Sequence, residues 1–247
     1  MRRLIASAVR RGLAPLGLEL RRTPTEHVWG VDPFADQREL LRVTDVRTVF
    51  DLGANLGQTT TRYRELFPAA TIHAFEPFPD SFEGLRQAHS DAPAVHCHQL
   101  AVADRAGKRT FHTNQSHYTN SLLAPAADAA SIVGHGLMEP VGQVEVDAVR
   151  LDEFCTAQKI DRIDVLKIDV QGGEGLVLEG AGGLLKAKAI SLIYSEVLFA
   201  PMYAGQANLW DVHRTLDGAG YRLFGLYNVV HLGREGVAWA DVIYLPK

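Results

Sequence analysis

Asp51-Leu-Gly-Ala-Asn-Leu-Gly57 joins the end of an apolar run to the start of a helical one. Glycines at 53 and 57 permit a tight turn and let the backbone approach a ligand closely. The helix that follows offers unpaired N–H groups and positive potential to a carboxylate or phosphate. Glu76 stands where the next apolar run ends, and an acid at that place can accept both hydroxyls of a ribose. Three more residues are candidates for moving a proton. Asp169 and Glu196 fall at the C-terminal ends of expected parallel strands, the edge where open α/β sheets bind ligands. His117 lies in a long irregular stretch that would cap that edge, and histidine titrates near neutrality. Glu174 reads more simply as a favourable acid in a helix's first turn.

The loop discriminates between cofactors. A dinucleotide turn reads G-x-G-x-x-G, whereas here the glycines are Gly53 and Gly57 with Asn55 between them. Asp51 at the strand mouth would oppose a pyrophosphate but could pair with an α-amino group. S-adenosylmethionine (SAM) carries such an amine beside its carboxylate, so SAM is expected rather than NAD. Asp169 and Glu196 could in principle converge on magnesium. The chain shows no dense carboxylate or histidine cluster, so no metal is expected. His96 and His98 alternate on one strand and read as a surface pair. Cys97 and Cys155 match no zinc spacing and read as reduced thiols.

These residues require a βαβ frame. Thr48–Leu52, Ala70–Phe75 and Ala94–Val102 read as strands, with helices over Gln58–Phe67 and Ser81–His89. The stretch 107–149 breaks the rhythm. It contains strand-like Lys108–Thr113 and Gln143–Val149 around a loop rich in small and polar residues. Leu151–Ala157 is a short helix. Ile163–Val170 and Ile190–Val197 are strands flanking a helix over Glu174–Leu185. Leu209–Leu216 is helical, and Tyr221–Tyr227 and Trp239–Leu245 close the pattern as strands. Strands alternating with helices imply a mostly parallel sheet covered on both faces. Phe199, Met202, Tyr203 and Trp210 are candidates for an acceptor-pocket wall.

The chain has 247 residues and a net charge of −4, which favours one large domain and gives no global argument for nucleic acid. The division expected is residues 31–247 as one domain with an irregular insertion around 107–149, preceded by a basic amphipathic helical segment over 1–30. That segment carries Arg2, Arg3, Arg10, Arg11, Arg21 and Arg22, so it could contact a partner subunit or an anionic membrane surface. No apolar run reaches the ~20 residues of a membrane span, and no export signal is read, so a cytoplasmic protein is expected.

Asp51–Gly57, Ala74-Phe-Glu-Pro77 and Leu166-Lys-Ile-Asp-Val-Gln-Gly172 followed by Glu174 resemble, in order, the FkbM-type SAM-dependent methyltransferases. The resemblance runs from about residue 48 to about 200. It implies a Rossmann-like, seven-stranded, mostly parallel sheet whose last strand is antiparallel, inserted beside Tyr221–Tyr227. It implies methyl transfer to oxygen, with a hydroxyl of a sugar, glycolipid or secondary metabolite as acceptor. Carried onto this chain, Gly53, Asn55 and Gly57 would line the methionine end of SAM. Glu76 would hold the ribose, and Ala101, Val102 and Asp104 would flank the adenine. Asp169 would face the transfer site. Many members have Glu where this chain has Gln171, a departure read as variation. An NAD-dependent oxidoreductase and a non-catalytic SAM-fold module are the competing readings.

Overall fold

Alternation along the central strands decides how the chain layers. In β1 (Thr48–Leu52), Phe50 and Leu52 face one side of the sheet while Val49 and Asp51 face the other. The computed structural model describes residues 27–129, 132, 136–234 and 236–247. The arginine-rich segment read over 1–30 therefore lies almost wholly outside the described residues.

Among the described residues β1 pairs in parallel with β2 (Thr71–Phe75) and β7 (Val165–Ile168). β3 (Val95–His98) extends the sheet beyond β2, and β8 (Ile193–Leu198) extends it beyond β7. β10 (Val237–Pro246) runs antiparallel between β8 and β9 (Tyr221–His231). The order β3-β2-β1-β7-β8-β10-β9 is the expected seven-stranded Rossmann-like sheet with the last strand inserted antiparallel. On one face Phe50, Leu52, Phe75, Leu166 and Ile168 pack with α4 (Leu151–Gln158), α5 (Glu174–Gly180), α6 (Gly182–Lys186) and α7 (Leu209–Gly218). On the other face Val49, Ile72, Val165 and Ile243 pack with Tyr63 of α2 (Gln58–Leu66) and Leu40 and Leu41 of the α1 region (Pro33–Leu40). Leu85 of α3 (Pro79–Ala88) covers Ala74 on that same face.

Several boundaries differ from those the sequence suggests. The expected strand over 94–102 is two strands. β3 ends at His98, and β4 (Ala101–Val102) leaves the main sheet to pair in parallel with β6 (Pro140–Val149). β6 in turn pairs antiparallel with β5 (Gly107–Asn114), so the 107–149 insertion is a hairpin that completes a second sheet of order β4-β6-β5. The single helix expected over 174–185 is broken at Ala181. A Cβ on Gly180 would lie 2.1 Å from the Ala103 carbonyl oxygen, so the end of α5 abuts β4 with no room for a side chain. Asp152 then caps a new helix by accepting from Gly183 and Leu184 N–H at 2.9 and 3.0 Å. α1 was not read from the sequence, although Asp32-Pro33 is an N-cap followed by an N1 proline. Its Asp36, fully buried, accepts from Gly30 N–H at 2.7 Å and from the Tyr227 hydroxyl at 2.6 Å, tying the start of the domain to β9.

No helix of the described residues is long and apolar enough to cross a membrane.

Candidate functional site

The loop after β1 turns through left-handed backbone at three positions, Gly53 (φ 75°), Asn55 (φ 48°) and Gly57 (φ 92°). A Cβ at Gly53 would fall 1.8 Å from the Asp169 carbonyl oxygen, so glycine lets the loops after β1 and β7 lie against each other. Gly53 and Ala54 N–H donate to the Phe75 carbonyl at 3.0 and 2.9 Å, and Asp169 N–H donates to Leu52 O at 3.1 Å. The strand ends are thereby stitched into one rim. No side chain caps α2, which leaves its first-turn N–H groups to solvent or a ligand.

A cavity of about 800 Å³, its open mouth included, lies at this rim. Leu52, Gly53, Asn55 and Glu76 line one side, with Asp169, Val170 and Gln171 beside them. Leu100, Ala101, Val102 and Phe111 line another side, so the second sheet forms part of the wall. His117, Tyr118, Asn120 and Leu122 close it from above.

Glu76 is buried on this wall, 6 % exposed. Its two carboxylate oxygens each accept one backbone N–H, from Asn55 at 2.9 Å and from Phe78 at 2.9 Å. Each oxygen keeps acceptor capacity for a ligand hydroxyl. Burial pushes its pKa up to about 7, against the pull of those two N–H groups. Asn55 also presents a buried side-chain oxygen that has no partner among the described residues.

Residues 115–123 form a strap over the opening, with a 3₁₀ turn at His117–Thr119. On one side Asn55 Nδ2 approaches His117 O at 3.5 Å, and Gln58 Nε2 donates to the Tyr118 hydroxyl at 3.3 Å. On the other side the fully buried Ser121 donates from Oγ to the Gln171 carbonyl at 2.7 Å. The Tyr203 hydroxyl lies 3.0 Å from Thr119 O. His117 Nδ1 is buried on the wall and has no partner among the described residues.

The structure thus brings Gly53, Asn55, Glu76, Ala101, Val102, Asp169 and His117 to one cavity. Gly57 stands just behind, where a Cβ would meet the His89 ring at 2.6 Å. Asp51 is placed otherwise than at a ligand's amine. It alternates to the α2 face, accepts from Thr60 Oγ1 at 2.7 Å, and lies 3.0 Å from Lys167 Nζ. Lys167 is its in-register neighbour on β7, so Asp51 already has its cation. Asp104 does not line the cavity and pairs with Arg109 at 2.7 Å. Glu196 sits behind the wall, its Oε2 accepting from Gln171 Nε2 at 2.9 Å. Burial, then the neighbouring carboxylates of Asp169, Glu174 and Asp241, raise its pKa well above the usual range against the pull of Lys167.

Met202 and Tyr203 are buried against Leu123 and Met138 under the strap, while Trp210 is 66 % exposed and lines no part of the cavity. His73, which the sequence reading did not single out, joins His98 at 3.1 Å beside His96. Among the described residues no group of three histidines, cysteines or acids could hold a metal ion.

Lys167 and Gln171, which the motif contains but to which the sequence assigns no place, stand beside the cavity. Lys167 Nζ also donates to Gly53 O at 2.9 Å and lies 3.6 Å from Asp169 Oδ2. Burial opposes its charge, but Asp51 and Asp169 outweigh that and hold its pKa above the ordinary value. Alternation turns Lys167 away from the face of Leu166 and Ile168, and the β1–β7 register then sets it beside Asp51.

The methyltransferase FkbM domain matches residues 51–223, more than half of the chain. The chain is 27 % identical over 168 residues to the 2-O-methyltransferase NoeI of Sinorhizobium fredii, covering 65 % of this chain and 67 % of that protein. It is 31 % identical over 163 residues to the 31-O-demethyl-FK506 methyltransferase FkbM of Streptomyces tacrolimicus, covering 57 % and 60 %. It is 23 % identical over 168 residues to the hexuronic acid methyltransferase AglP of Haloferax volcanii, covering 66 % and 63 %. The matched stretch therefore spans about two thirds or less of each relative's own length. With the glycine turn, the buried Glu76 and the Lys167–Gln171 loop all inside the matched residues, the chain belongs to the FkbM-domain methyltransferase family.

Proposed function

We propose that this chain is a SAM-dependent O-methyltransferase whose acceptor is a hydroxyl of a sugar, a glycosylated molecule or a secondary metabolite. The observation that carries this is one cavity wall that joins the uncapped glycine turn, the buried Glu76 and the half-exposed Asp169. SAM, when bound, supplies an electrophilic methyl group on a sulfonium.

The residues present fit that group. Glu76 has acceptor capacity left for two ribose hydroxyls. The unpartnered Asn55 oxygen and the Asp169 carboxylate suit an ammonium, and the first-turn N–H groups of α2 suit a carboxylate. Among the described residues the wall carries acids and no lysine or arginine, which suits a ligand of net positive charge. The absence of a third glycine in the turn, with Asn55 in its middle, argues against a pyrophosphate there.

A hydroxyl that takes a methyl group must give up its proton as it does so. Asp169, with a side chain 40 % exposed to the cavity, takes that proton. The strap and the apolar wall around Leu52, Phe75 and Phe111 exclude water and hold the partners in line.

Calorimetry with SAM, S-adenosylhomocysteine and NAD, on the wild type and Glu76→Ala, tests the cofactor. Binding of the first two alone, lost in the variant, supports the reading, whereas binding of NAD or of nothing overturns it. Transfer of labelled methyl from SAM to a panel of sugar and glycoside hydroxyls tests the activity. Asp169→Asn is expected to lower kcat by about 10²-fold or more. His117→Gln, changing the other titratable group of the wall's upper side, tells whether His117 shares that role.

A further inference from the structure

One amide organises the loop after β7. Gln171 stands in left-handed backbone at φ 57°. Its Nε2 lies 2.9 Å from Asp169 Oδ1 and 2.9 Å from Glu196 Oε2, so one NH₂ group donates to two different carboxyls. Its Oε1 accepts from the Tyr203 hydroxyl at 2.9 Å. Its backbone carbonyl accepts from Ser121 in the strap. The Tyr203 hydroxyl also faces Thr119 O, another strap atom.

An amide has its donors at one end and its acceptor at the other. With two carboxyls before it and a phenol behind, the orientation of Gln171 follows. The ionisable groups around it come from every neighbouring element: Asp169 and Glu174 from its own loop, Lys167 from β7, Glu196 from β8, Asp241 from β10 and Tyr203 from beyond β8. Of the two carboxyls it holds, only Asp169 lies on the cavity wall.

We propose that Gln171 is a positioning residue: set by the Tyr203 hydroxyl, its amide ties Asp169 to Glu196 and aims the Asp169 carboxylate at the cavity, so that the seated strap also sets the proton-accepting group. This rests on the methyltransferase reading for what Asp169 does, but not for the network itself. An apolar side chain at 171 would take a donor from each carboxyl and leave the phenol without this acceptor. A glutamate would place a third carboxylate between two others.

A double-mutant cycle read by carbon-13 carboxyl NMR titration of the ligand-free protein tests it. The samples are wild type, Tyr203→Phe, Gln171→Leu and the double variant. The one proton of the Tyr203 hydroxyl faces Gln171 Oε1 and Thr119 O and neither carboxyl, so the cycle separates an influence on Glu196 that passes through the amide from a direct one. Tyr203→Phe is expected to move the Glu196 midpoint upward by about half a pH unit or more. Gln171→Leu should move it further, and the double variant no further than Gln171→Leu alone. A Glu196 midpoint unchanged in Tyr203→Phe, or shifts that add in the double variant, overturns the proposal. Should Gln171→Leu not fold, Gln171→Met, which likewise offers the carboxyls no donor and the phenol no amide acceptor, takes its place in the cycle with the same criteria. S-adenosylhomocysteine binding on the same wild-type sample separates the two claims. If wild type does not bind it, the methyltransferase reading fails while the cycle still decides the role of Gln171.

Discussion

Glu76 and Glu174 are both buried carboxyls whose pKa values burial pushes up to about 7. For Glu76 the consequence is a ligand-binding one. The hydroxyl-accepting role proposed for it needs the ionised form, so affinity for S-adenosylhomocysteine should fall by up to about tenfold per pH unit below 7 and level off above it. Calorimetry from pH 5.5 to 8.5 checks this, and Glu76→Gln should bind weakly with that slope removed. For Glu174 the consequence is one of stability. Its Oε1 accepts Val170 and Gly172 N–H at 3.1 and 3.3 Å, and its other oxygen is buried without a partner. The folded protein holds this proton to about pH 7, whereas the unfolded chain releases it near the ordinary 4.5. Stability is therefore fullest below the unfolded value and declines as pH rises through that window, by roughly 3 kcal/mol for this group. Urea melts at pH 5 and pH 8 should show a smaller decline for Glu174→Gln, with the share due to Glu76 remaining. At this scale the sequence was legible where a residue's place at a strand end fixed its position at the cavity, as for Gly53 and Glu76. Asp51 was misplaced because its partner, Lys167, lies 116 positions on and is met only through strand pairing.

Among the elements, the strap depends on a few latches. Ser121 Oγ both donates to Gln171 O and accepts from Leu123 N–H at 3.0 Å, in a fully buried position. Ser121→Ala strands two backbone groups, at an expected cost of about 1–3 kcal/mol. Amide exchange should accelerate in residues 115–123 while β1 and β7 keep their protection. Unchanged exchange in the strap would show that its other contacts suffice. The two hairpin strands inside 107–149 were visible in the sequence, because alternation marks strands locally. Their destination was not, because the parallel pairing of β4 with β6 links residues more than forty positions apart, such as Ala101 and Ala148. The same limit explains why 94–102 read as one strand. Its composition is continuous, and the change of sheet between His98 and Ala101 is decided by partners elsewhere.

For the whole molecule, the two-sided apolar sheet was the most legible feature, since buried parallel strands must be apolar nearly throughout. The cavity lies between two such units, the main sheet's rim and the smaller sheet with its strap. A ligand held there binds the folded state alone, so S-adenosylhomocysteine at 100 times its Kd should stabilise the protein by about 2.7 kcal/mol. Thermal unfolding with and without it measures this, and an unmoved midpoint would count against the cofactor reading. The place of β10 has a further consequence, for synthesis. β10 is made after β8 and β9 yet lies between them. On the ribosome β8 therefore presents an unpaired edge, and the eleven-residue β9 has no neighbour in the sheet, until residues 237–246 emerge. A nascent chain interrupted before that point carries two strands with open edges at once, the kind of surface that recruits strands from other chains.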